Sequence, residues 1–188
     1  MKKEVREQLE NKHKKQLIDV KFTITLTLVA FLLSVSLSFL SDIAMKDVSL
    51  LVGFLVIILF ISIAIIFDTI GVAVTAADEA PFHAMSSKRV KGAKMAVKLK
   101  KNAEKTSTFC CDVIGDVCGV ISGAAGVAVA SKMSEVFNMS LLVSGLIVTG
   151  FIAAFTIGGK SIEKPIAINN GNKILYEFAK ILSIFSKN

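Results

Sequence analysis

Apolar residues run in four long blocks separated by short polar stretches: residues 22–40, 49–74, 108–130 and 139–157. Each is close to the ~20 residues with which a helix crosses the hydrocarbon core of a bilayer. The pattern predicts an all-α integral membrane protein with four transmembrane helices. Residues 1–19 form a polar lead-in of mixed charge, and no small-residue cleavage site follows the first apolar block, so a signal peptide is not expected. The first transmembrane helix is expected over 20–41. Between the second and third blocks, residues 88–105 are basic and Ala-rich, which predicts a juxtamembrane helix. Gly158-Gly159 are expected to end the fourth span. After Pro165 and a turn at Asn169-Asn170-Gly171, residues 172–186 place Ile174, Phe178, Ile181, Leu182 and Phe185 near one face. That predicts an amphipathic helix lying in the membrane interface.

Composition agrees with the pattern. Of 188 residues, 53% are hydrophobic, and the mean hydropathy is +0.67, high for a soluble domain of this size. The formal net charge of +7 is concentrated in the lead-in and in 88–105. Basic segments beside apolar spans mark the cytoplasmic face. The expected location is therefore the cell membrane, multi-pass, with both termini cytoplasmic and the basic segment facing anionic lipid heads. The aromatic residues are mostly Phe scattered through the spans, so nucleic acid is not an expected partner. Cys110, Cys111 and Cys118 share one block and read as small buried hydrophobes.

The third block carries unusual chemistry. Asp112 and Asp116 stand four residues apart, on one face of a helix. A carboxylate in a membrane span costs ~2.5–3.5 kcal/mol on insertion scales, so an intramembrane pair is a functional-site hypothesis by default. Gly115, Gly119 and Gly123 repeat every fourth residue and predict close helix packing, within the protomer or across a dimer. Asp78-Glu79 and Lys160 lie at the ends of the second and fourth blocks, near the helix breakers Pro81 and Gly158-Gly159. Broken helices expose backbone carbonyls that ions use, and hard oxygen donors suit Mg²⁺. His83, four residues after Glu79, reads as solvated. Asp68 reads as a boundary or packing residue.

Several segments together resemble the membrane domain of the CorB/CorC and cyclin M (CNNM) magnesium transporters. They are Ala77-Asp78-Glu79-Ala80, Ser86-Ser87-Lys88-Arg89, Asp112-x-x-x-Asp116, and the run Gly159-Lys160-Ser161-Ile162-Glu163-Lys164-Pro165-Ile166-Ala167. They occur in the order and near the spacing of that family's A-S-E-x-A, S-R-x-R, G-N-N-x-x-N and G-E-x-x-P-K-x-x-A motifs. The resemblance assigns 49–188 to such a domain, with spans at about 49–74, 108–130 and 139–157, a juxtamembrane region at 78–106, and no regulatory CBS domains. It implies a homodimer holding a dehydrated Mg²⁺ near mid-membrane. By position the metal ligands become Asp78, Asp112 and Asp116, and Lys160 stands where the family has an acid. Glu79 and Lys164 keep the family's residue types and join Lys160 as ion-pairing or gating residues.

Two readings follow. In one, the chain transports a divalent cation, Mg²⁺ or else Co²⁺ or Mn²⁺, through a carboxylate site, with no resident cofactor. In the other, it is a non-transporting structural or regulatory subunit, working with a separate protein, in which Lys160 pairs with the aspartates in place of the ion. No nucleophile–base set accompanies the carboxylates, so an enzyme is not expected.

Overall fold

The computed structural model describes residues 20–45 and 49–185, and the polar lead-in 1–19 lies outside the described residues. Among the described residues every regular element is helical. In chain order they are α1 (Val20–Met45), α2 (Leu50–Ala76), α3 (Ala80–Ser87), α4 (Ala93–Lys101) and α5 (Ala103–Thr108). A π-turn (Phe109–Ile114), α6 (Gly115–Phe137), α7 (Leu141–Asn169) and α8 (Gly171–Phe185) follow. Three stretches are long and apolar enough to cross a membrane: Leu50–Ala76, Ala103–Phe137 and Leu141–Asn169. A shorter apolar stretch, Thr23–Phe39, lies in α1. These helices are compatible with a multi-pass membrane protein.

The packing is the reverse of a water-soluble bundle. The centre is built largely from small residues, among them Ala64, Ala125, Ala130, Ser122 and Ser144, while Leu51, Leu142 and Leu146 are about two-thirds exposed. Lipid tails give large side chains no reason to turn inward, and small ones let helices approach. α2 packs on both α6 and α7, and α1 packs on α6. Ile57 and Ile61 of α2 meet Ala125, Val129 and Ala130 of α6 and Val148 of α7. Phe54 closes this core edge-on to Phe151, with ring centroids 5.4 Å apart.

The spans run longer than the apolar blocks. The third stretch continues to Phe137, and Asn138 ends it with a left-handed backbone, φ 50°. Ser140 then caps α7, its hydroxyl oxygen accepting the Val143 N–H. Gly158-Gly159 do not end the fourth span, contrary to expectation: α7 passes through them and through Pro165. Gly in a helix costs only ~1 kcal/mol. At Gly159 the missing Cβ has a use, because an added one would collide with the Ile65 side chain of α2.

The basic segment holds two short helices, α4 and the start of α5, divided at Asn102, rather than one. α3 ends at Ser87, and the chain turns through Arg89 (φ 54°) and Gly92 (φ 84°) into α4. Gly92 serves both conformation and contact, since a Cβ there would lie 2.9 Å from the Lys180 Cα of α8. α8 is docked on the protein along Gly171, Leu175 and Ala179. Leu175 and Ala179 pack with Val74, Ala77, Phe82 and Ala96. Ile181 is more than half exposed, and Ile174, Phe178 and Leu182 are half-buried. Hydrogen bonds tie this collar together. The Lys100 ammonium donates to the Val74 and Thr75 carbonyls at the end of α2, at 3.2 and 2.9 Å. The Asp78 N–H donates to Asn172 Oδ1 at 2.7 Å.

Candidate functional site

Polar side chains gather where α2, α6 and α7 meet. On α7, Lys160 and Glu163 are three residues apart and share a face. Lys160 Nζ lies 3.4 Å from Asp68 Oδ2 of α2. Asp68 is buried and Lys160 is one-third exposed. Glu163 is 5% exposed, and neither of its carboxylate oxygens has a hydrogen-bond partner. Asp68 and Thr69 face it from α2. The Thr69 hydroxyl donates to the Ile65 carbonyl at 2.7 Å, so its proton is engaged within α2.

The π-turn borders this cluster. Cys111 Sγ sits 3.7 Å from the Asp68 carbonyl oxygen and 3.7 Å from Ser107 Oγ. The contact needs Gly71, where an added Cβ would collide with Cys111 Sγ and sit 3.2 Å from the Ser107 carbonyl oxygen. π-turns inside helices often mark functional positions, and this one leads directly into Asp116.

Beside the ion pair lies a cavity of about 480 Å³. Its polar lining is Asp116, Ser122, Thr156 and Lys160; Gly115, Gly119, Ile61 and Ala64 form part of the rest. The Ser122 hydroxyl proton goes to the Cys118 carbonyl at 2.8 Å, leaving its oxygen as an acceptor. Lys160 thus belongs to both the ion pair and the cavity wall.

The other expected site residues fall elsewhere. Asp112 is exposed and does not line this cavity. Asp78 is exposed beside a separate cavity of about 280 Å³ between the α2 and α7 ends, lined by Asn169, Asn170, Asn172 and Lys173. Glu79 pairs with His83 at 2.8 Å on the surface, and Lys164 is exposed. Among the described residues no group of three or more His, Cys, Asp or Glu is placed to hold a metal, so Asp78, Asp112 and Asp116 do not converge. Of the two packings expected of the glycine repeat, within the protomer or across a dimer, the first is not made at Gly119 and Gly123. Within the protomer nothing lies within 4 Å of a Cβ added at Gly119 or Gly123. Gly115 and Gly119 line the cavity instead, while close helix approach falls to Gly71, Gly126 and Gly159.

Sequence reasoning took Asp68 as a boundary or packing residue and gave Glu163 no role of its own. The available signal was position along the spans: Asp68 near the end of the second block and Lys160 and Glu163 just past the fourth fall at matching levels of helices that run parallel. The sequence matches no family model, and neither a curated protein nor a solved structure matches the chain.

Proposed function

We propose that the chain carries a divalent cation, Mg²⁺ foremost, across a cell membrane, with Asp116 as the carboxylate that meets it. One observation carries this reading: Asp116 faces a cavity among helices that are otherwise apolar. Lys160 shares that cavity, but Asp68 neutralises its ammonium at 3.4 Å. That ammonium is therefore not paired with Asp116, which faces the cavity, and the Ser122 and Thr156 oxygens add neutral donors of the hard type Mg²⁺ prefers. The resemblance to the CorB/CorC and CNNM membrane domain points the same way and adds a homodimer, for which the open strip at Gly119 and Gly123 suits a second copy. Arg89, Lys91, Lys94 and Lys98 line another cavity, about 490 Å³. That cavity suits anionic lipid heads and supports a cytoplasmic basic face.

A second reading has its own observation. An ammonium already paired inside the bundle is what a non-transporting relative would use in place of an ion, here with Asp68 as its partner rather than Asp112 or Asp116. Ligand-dependent stability separates the two. A ligand that binds the folded state adds RT ln(1 + [L]/Kd), ~2.7 kcal/mol at a hundredfold excess over Kd. Mg²⁺ should raise the melting temperature of the purified protein, and Asp116→Asn should abolish the rise. Indifference to Mg²⁺, Mn²⁺ and Co²⁺ would favour the structural subunit.

A further inference from the structure

Glu163 is deeply buried in an apolar helix with both oxygens unpartnered. The charged and titratable groups around it are few. Asp68 faces it from α2 and Lys160 from its own helix. Cys111 approaches Asp68 from the π-turn, Asp116 of α6 faces the adjoining cavity, and α8 leaves Lys173 and Glu177 exposed. Among the described residues neither Glu163 oxygen has a hydrogen-bond partner: the Lys160 ammonium reaches Asp68, the Thr69 hydroxyl, which faces Glu163, donates to the Ile65 carbonyl, and an ionised Asp68 only accepts.

With both acids ionised, two carboxylates would face one ammonium, and one negative charge would stand uncompensated in low dielectric. Carboxylates that share such a site do not both ionise. The ion pair keeps Asp68 as the anion, which leaves the proton to Glu163. As an acid, Glu163 has one O–H to donate, and the Asp68 carboxylate is the acceptor that faces it.

We propose that Glu163 and Asp68 share one proton beside Lys160, and that this carboxyl pair is a proton-binding site. One proton neutralises the trio, whereas a divalent ion would leave it positive. Release breaks the Glu163 O–H bond and passes the proton to water. Lys160, three residues before Glu163 on the same helix, then lies between two anions. This site is separate from Asp116 and is read without any metal.

The test is infrared difference spectroscopy of the full chain in lipid vesicles, free of divalent metal, between neutral and alkaline pH. A protonated-carboxyl C=O band at neutral pH is expected in the wild type. It should disappear in Glu163→Gln, and Glu163→Asp should restore it at a shifted frequency. Gln still offers a donor to Asp68, so Glu163→Gln should melt near wild type while Glu163→Ala melts earlier. Absence of any protonated-carboxyl band in the wild type overturns the proposal, and so does a band unchanged in Glu163→Gln. Asp116→Asn should leave the band in place, which separates this outcome from failure of cation binding.

Discussion

Lys160 directs its ammonium at Asp68, 3.4 Å away on α2, and not at the aspartates of the third span. The pair joins two helices with Asp68 buried, where an unpaired charge is costly. Removing one partner of a buried pair destabilises strongly, whereas replacing both with apolar residues of similar volume is often neutral. Lys160 is one-third exposed, so solvent reduces the effect. Lys160→Met alone, which strands Asp68, should lower stability by about 1–3 kcal/mol. Combining it with Asp68→Leu should recover most of that loss. Thermal unfolding in detergent measures both, and simple additivity of the two losses would show that the residues do not interact.

The glycines make opposite predictions. At Gly71 an added side chain runs into Cys111 and the Ser107 carbonyl. Gly71→Leu should destabilise by about 1–3 kcal/mol, as overpacking does. At Gly119 there is open space within the protomer. Gly119→Leu should leave the melting temperature within a degree or two of wild type, since surface-like changes fall within about 0.5 kcal/mol. A large drop for Gly119→Leu would instead reveal a second copy packed on that strip.

Much of the architecture was legible in the apolar blocks, because length and apolar composition mark helices able to cross a membrane. The finer parts were not. Gly158-Gly159 read as a break, yet at Gly159 glycine is what lets α2 pack through Ile65 against an uninterrupted helix. The repeat at Gly115, Gly119 and Gly123 read as a packing face, but spacing alone does not say which side of a helix has a neighbour. Asp112 and Asp116 read as equals. Only tertiary placement puts Asp116 at the cavity and Asp112 outside it. Asp68 was visible but unassigned, because its partner is ninety-two residues away in sequence. α8 was read correctly as amphipathic, but α4, part of the collar it docks on, lies in a segment read from its charge, and α3 lies ahead of that segment.

Lys100 caps α2 by donating to its last-turn carbonyls. Hydrogen bonds from charged groups contribute ~1.5–3 kcal/mol, less where water competes. Lys100→Met should therefore cost about 1 kcal/mol. Lys98→Met, on an exposed side chain nearby, should cost little. Equal melting temperatures for the two variants would remove the capping role.

Orientation is testable by labelling. With Cys110, Cys111 and Cys118 replaced by Ala, a single Lys98→Cys should resist a membrane-impermeant maleimide in intact cells, and Asn138→Cys should react. The reverse pattern would invert the assigned topology.

The most direct measurement is Mg²⁺ uptake into proteoliposomes with an entrapped Mg²⁺ indicator. Wild-type protein should conduct above protein-free vesicles, while folded Asp116→Asn should fall to the protein-free level. Equal uptake by the two proteins, or none by folded wild type, would contradict a cation path through the Asp116 cavity.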